Sequence, residues 1–242
     1  MDIDATDGLE EFKKSSMTPT TAISVLYVDG TDKNMGLVDL YDLACKKVEI
    51  VPCALSKSTV TAAATGVASL PSVVVYRNFA NEPATKLADA SLFNSSTEIM
   101  EFMQLSAFPS LVELTKDTDT LLFSDKRIGY NIHVLVALDK SLLSSQELIS
   151  ALRTQADEYS GRCAFAYIDT GSPTPYTTTI LNDLGITQDK APVAMIIRSA
   201  KTEVQFYQIT DDTDVNAESM SYFVRDFFSG TLKPVRTAIQ QD

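Results

Sequence analysis

The 242-residue chain has three cysteines and one histidine, and no two of its cysteines stand in a CxxC spacing. With His133 as the single histidine, the common Cys-His, Ser-His-Asp and zinc-ligand sets cannot be assembled. His133 lies in a strand-like run and is read as a packed structural residue. The odd cysteine count argues against a disulfide framework, and Cys53 and Cys163 lie in apolar runs where a free cysteine serves as a small core residue. All three cysteines are therefore read as buried thiols. A Cys45–Cys53 bridge requires a helix end and a strand to bring the two Cα atoms close together, a question the sequence leaves open. No apolar run approaches the length of a membrane span, and Met1-Asp2-Ile3-Asp4-Ala5-Thr6-Asp7 lacks the basic and apolar regions of a secretory leader. No retention tetrapeptide stands at Ala238 to Asp242. Clusters of lysine and arginine are missing too. The net charge is −12, shared by both halves, so a nucleic-acid backbone or an anionic lipid surface would be repelled, and neither is expected as a partner. The acidic run Asp211-Asp212-Thr213-Asp214 lacks the glycine and regular oxygen-ligand spacing of a dedicated calcium loop and is read as solvated surface; no metal or cofactor is expected. Asn94-Ser95-Ser96 is a glycosylation sequon usable only in a secretory compartment.

What is present is a repeated local grammar. Ser69-Leu70-Pro71-Ser72-Val73-Val74-Val75-Tyr76 and Lys190-Ala191-Pro192-Val193-Ala194-Met195-Ile196-Ile197 each follow a helix-like stretch ending near a glycine, Gly66 or Gly185. In both, a proline delivers the chain into a short, mostly apolar strand. An apolar fraction of 45% can fill two cores over this length, so two domains are expected, residues 1–108 and 109–242, with Phe108-Pro109 leaving little room for a flexible linker.

The first half reads as strand Ala22 to Val28, an amphipathic helix through Leu37, Leu40, Tyr41 and Ala44, a strand around Val48 to Leu55 and a helix from about Ser58 to Thr65. The Pro71 strand follows, with a hairpin partner at Thr85 to Ala88 and a helix opening at Ser95-Ser96-Thr97-Glu98. The second half repeats that order. Leu111 to Thr115 is an extra opening strand with a short helix near Phe123; then come strand Ile132 to Leu138, helix Ser144 to Tyr159, strand Cys163 to Ile168, helix Thr177 to Leu184, the Pro192 strand, strand Val204 to Ile209, and a helix from about Asn216 to Phe228 stopped at Gly230. Parallel strands joined by helices, with a final antiparallel hairpin, imply an α/β fold: a mixed central sheet flanked by helices, made twice.

In this order and spacing the chain resembles the paired b and b′ domains of protein disulfide isomerases, tandem thioredoxin-like domains that lack active-site cysteines. The residues that carry the resemblance are Phe108-Pro109-Ser110-Leu111-Val112-Glu113-Leu114-Thr115, His133 to Leu138 with Lys140-Ser141, Ser160-Gly161-Arg162-Cys163-Ala164-Phe165-Ala166-Tyr167-Ile168-Asp169, Leu184-Gly185-Ile186, the Pro192 strand, and Phe227-Phe228-Ser229-Gly230-Thr231-Leu232-Lys233-Pro234. A thioredoxin-type oxidoreductase needs a thiolate where the helix after the central strand begins. This chain has Asp29-Gly30-Thr31-Asp32-Lys33 and Asp139-Lys140-Ser141-Leu142-Leu143 there, so neither half is expected to exchange disulfides in the usual way. The resemblance implies cis bonds before Pro71 and Pro192, read as scaffold. It also implies a peptide-binding site at Leu114, Phe123 and Leu184, taking unfolded or partly folded polypeptides, with core residues as the plain alternative for each. Many relatives have two aromatics before the glycine, whereas Asp183 and Leu184 stand here. The implied setting is the lumen of the endoplasmic reticulum, the implied partners are catalytic thioredoxin-like domains of a parent chain, and the expectation is a fragment of that parent rather than a complete two-domain chaperone-like protein. A calcium-storage thioredoxin-like protein is the structural competitor, and single-cysteine chemistry at Cys45 the enzymatic one.

Overall fold

The β-branched and apolar run Ile23–Tyr27 forms β1, the central strand of the first of two units, and all five of its residues are buried. The computed structural model describes residues 3, 4, 6–18, 21–48, 51–79, 83–119, 122, 131–187, 190–209 and 213–239. These divide into units spanning Met1–Pro109 and Ser110–Asp242. No described helix is long and apolar enough to cross a membrane.

The first unit runs α1 (Thr6–Ser16), β1, α2 (Met35–Lys47), β2 (Cys53–Ser56), α3 (Thr59–Ala64), β3 (Ser72–Tyr76), β4 (Thr85–Asp89) and α4 (Ser96–Ser106). Its sheet has the order β2-β1-β3-β4, with β1 and β2 parallel and the β1/β3 and β3/β4 pairs antiparallel. Alternation along the strands sends Ile23, Val25, Tyr27, Val74 and Tyr76 into one core with Leu9 and Phe12 of α1. On the other face Tyr41 of α2 donates its hydroxyl to Ser24 Oγ at 3.0 Å. Ile99 and Met103 of α4 are fully buried.

The second unit runs β5 (Leu111–Glu113), β6 (Ile132–Leu138), α5 (Leu143–Glu158), β7 (Ala164–Asp169), α6 (Pro175–Leu184), β8 (Val193–Ser199), β9 (Glu203–Gln208), α7 (Ala217–Phe228) and β10 (Arg236–Ile239). Its described strands lie in the order β10-β9-β8-β6-β7-β5, parallel across β6/β7/β5 and antiparallel across β6/β8/β9/β10. Period-two alternation makes two cores. Val134, Val136, Leu138, Phe165 and Ile196 face Leu148 and Leu152 of α5 and Met220, Phe223 and Val224 of α7. Leu135, Ala137, Ala166, Ile168 and Met195 face Leu181 of α6.

Three differences from the expected elements have physical causes. The strand expected from Val48 begins only at Cys53, because the Val48 N–H still caps α2 by donating to Ala44 O. Helix α1 is a further element: its apolar signal is confined to Leu9 and Phe12 among Asp7, Glu10, Glu11, Lys13 and Lys14, a three-residue spacing that could have revealed it. Strand β10 is also new; its four residues are exposed, so burial left no pattern in its sequence.

Candidate functional site

The two loops where a catalytic thioredoxin-like domain would hold its cysteines are built alike. After β1, the Asp29 carboxylate accepts from Thr31 N–H at 3.0 Å, Thr31 Oγ1 at 2.7 Å and Asn34 Nδ2 at 2.5 Å. After β6, the Asp139 carboxylate accepts from Ser141 N–H at 2.9 Å and Ser141 Oγ at 2.6 Å. In each case the turn hydroxyl and amide hold the carboxyl below its ordinary range. The sequence Asp-x-Ser/Thr folds this way because a short acceptor side chain can bond the backbone two residues ahead.

In the second unit this loop is tied to the ends of three strands. Lys140 Nζ lies 2.7 Å from Glu113 Oε1 on β5 and 3.5 Å from Asp169 Oδ2 on β7. Tyr167 donates its hydroxyl to the other Glu113 oxygen at 2.9 Å. The nearly buried Asp169 accepts from the Lys140 amide at 3.2 Å and the Gly171 amide at 3.0 Å. The hydrogen bond to Glu113 raises the Lys140 pKa, and burial followed by that same glutamate raises that of Tyr167. Gly171 approaches the Asp139 carboxyl closely: a Cβ there would stand 2.6 Å from Asp139 Cγ, so the Asp139 side chain would have to shift. The loop that follows β6 thus holds an ammonium between two carboxylates.

Leu70-Pro71 and Ala191-Pro192 are cis, each opening the strand that pairs antiparallel with its unit's central strand. Beside Pro192 lies a cavity of about 340 Å³ lined by Lys190, Val193, Gln208, Ile209 and Val215. His133 holds Leu122 O through Nε2 at 3.0 Å, and burial lowers its pKa.

Leu114 and Leu184 come together on the α6 face of the second sheet, but with different exposure. Leu114 is 1% exposed, its amide bonded to Tyr167 O at 2.8 Å, and it packs with Leu122, Leu181 and Ile186. Leu184 is half-buried against the same cluster, at the end of α6 where Gly185 takes the left-handed conformation with φ 73°. Asp183 beside it is exposed. Phe123 and Asp211-Asp212 lie outside the described residues.

The cysteines depart from the expectation of three buried thiols. Cys45 and Cys53 form a disulfide with Cα atoms 6.1 Å apart, and both are half-exposed. The last turn of α2 passes over the first residue of β2, a proximity that exists only once the helix has packed on the sheet edge. Cys163 is buried as expected, and burial pushes its thiol up to about 12. Sequence reading also missed Arg77, 2% exposed, which donates through Nε to Pro83 O at 2.9 Å and through Nη1 to Ser106 O and Phe108 O at 3.3 and 3.1 Å. A basic residue directly after a buried strand was the available signal.

A sequence profile of the thioredoxin-like domain family matches residues 31–226. The chain belongs to that family. Among curated relatives it is 24% identical over 136 residues to protein disulfide-isomerase of Gallus gallus and 21% identical over 161 residues to protein disulfide-isomerase A2 of Mus musculus. These matches cover 56% and 66% of the chain but 25% and 29% of the relatives, so the chain spans little more than a quarter of their length. Among solved structures, the bb fragment of ERp72 aligns with a TM-score of 0.61 at 18% identity, covering 96% of this chain and 98% of that one. Human ERp44 in its zinc-bound form aligns with a TM-score of 0.55 at 13% identity, covering 96% of this chain and 58% of that one. The resemblance to the paired b and b′ units of protein disulfide isomerases and the tandem thioredoxin-like architecture both stand on these findings.

Proposed function

We propose that this thioredoxin-like chain is the substrate-binding, non-catalytic part of a protein disulfide isomerase of the endoplasmic reticulum. Its second unit takes unfolded or partly folded polypeptide at Leu114, Phe123 and Leu184, the first and last of which share the α6 face, and flanking CxxC domains of a longer parent chain perform the exchange. The observation that carries this reading is the paired replacement of the reactive loop: Asp29 and Asp139 close the turns where a thiolate would be needed. Apolar contact suits the task because removing unfolded chain from water needs no particular sequence, at about 25 cal/mol per Å² of apolar surface. Leu184 is half-open to solvent, whereas Leu114 is enclosed in the cluster against which Leu184 packs.

Titration calorimetry with an unfolded, apolar-rich peptide tests the proposal. Saturable binding that Phe123→Ala weakens while the fold survives supports it. Absence of binding, or binding indifferent to both Phe123→Ala and Leu184→Ala, refutes it.

A further inference from the structure

The first unit holds a disulfide that the replaced loops leave unexplained. Cys45 stands in the last turn of α2, eight positions before Cys53, which opens β2 at the edge of its sheet. Part of that edge is covered, since the Ile3 amide donates to Leu55 O at 2.8 Å and the Asp4 carboxylate accepts from the Lys57 amide at 2.7 Å. The disulfide lies beyond that cover. It forms part of the wall of a cavity of about 320 Å³, with Val38, Asp39 and Asp42 of α2 on one side and Leu55 of β2 on the other. Both cysteines keep exposed surface, whereas the neighbours that fix the two elements are buried: Ala44 on α2 and Ala54 on β2 are 0% and 2% exposed. The two cysteines therefore lie at the margin of the core that holds α2 to the sheet and line a concave surface beside it.

From this placement we infer that Cys45–Cys53 is a thiol–disulfide exchange site, accepting two electrons from a dithiol, either a small one or a pair of cysteines on a polypeptide. A substrate thiolate enters from the cavity and attacks Cys45 Sγ; the Cys45–Cys53 bond breaks and Cys53 leaves as a thiolate. The second substrate thiolate then attacks its own partner sulfur in the mixed disulfide, which closes the substrate disulfide and releases Cys45 as a thiolate. The substrate loses two electrons, the protein disulfide gains them, and the two protons lost by the substrate thiols end on Cys45 and Cys53 through solvent. The direction of attack follows from the helix. Carbonyl dipoles at the C-terminus of α2 disfavour a thiolate on Cys45, so Cys53 is the better leaving sulfur. This activity is independent of peptide binding by the second unit. It places redox chemistry about a helix length from the loop where a thioredoxin-type enzyme performs it.

The test separates exchange in the folded state from reduction after unfolding. The full chain carrying Val75→Cys places a thiol reporter on β3, where Val75 has no exposed surface, so the thiol at position 75 reacts only when the first unit opens. Dithiothreitol is added under native conditions, followed by an alkylating reagent and peptide mapping. Cys45 and Cys53 are expected to take label at least tenfold faster than position 75. With reduced glutathione in place of dithiothreitol, acid quenching is expected to catch glutathione on Cys45. Labelling of Cys45 and Cys53 in step with position 75 would mean that the bond is reached only through unfolding, and overturns the proposal. No glutathione adduct overturns it as well, and an adduct confined to Cys53 overturns the assigned direction of attack.

Discussion

Leu114 and Leu184 share one apolar cluster, and replacing each by alanine distinguishes support from contact. Leu114 is enclosed, so Leu114→Ala removes its transfer energy and leaves a cavity that its strand-bound backbone cannot close, a loss of about 3 kcal/mol. Leu184 is already half in water, so Leu184→Ala costs the folded unit about 1 kcal/mol. If the open half of Leu184 meets bound peptide, the same truncation removes about 1 kcal/mol of contact, which is roughly a fivefold weaker affinity. Because the chain has two units, global unfolding curves mix two transitions. The sole histidine, His133, lies in the second unit, so its ring resonances report that unit's urea transition directly. Peptide affinity is measured by calorimetry well below that transition. The expected pattern is a large stability loss with affinity retained for Leu114→Ala, and a small stability loss with weakened affinity for Leu184→Ala. Equal stability losses, or unchanged affinity in the Leu184 variant, refute the assignment of Leu184 as the contact.

Gly171→Ala should cost about 1–3 kcal/mol by driving a Cβ against the Asp139 carboxyl, and adding Asp139→Ala should recover most of it; a double-mutant cycle in urea with additive losses would disprove the contact. Arg77→Met should lower the first unit's stability by about 3 kcal/mol, because Pro83, Ser106 and Phe108 carbonyls lose a buried charged donor; hydrogen exchange of unit-one amides measures it, and a change within 0.5 kcal/mol, about the scatter of surface substitutions, contradicts it. Burial holds the His133 pKa below its ordinary 6.5, so as pH falls below about 6.5 the unfolded chain takes up the proton first. Stability contributed by the neutral ring is therefore complete above that pH and declines as pH drops toward the folded value. His133→Gln should flatten the second unit's acid-side stability profile, and an unchanged slope would show that His133 is not the group responsible.

The sequence by itself determined the unit architecture. Strand alternation in Val134 to Leu138, helical spacing at Met220, Phe223 and Val224, and the prolines before β3 and β8 are local signals, each decided by residues within a few positions of one another. The replaced loops were legible for the same reason: Asp29 and Asp139 bond residues two ahead, and the lack of cysteine beside them needs no fold to be seen. Tertiary structure decided the rest. It alone brings Cys45 over Cys53, carries Lys140 to Glu113 and Asp169, buries Arg77 among distant carbonyls, and seals Leu114 while leaving part of Leu184 open. Each of these depends on a distance set by how helices pack on a sheet and strands pair within it rather than by any pattern along the polypeptide.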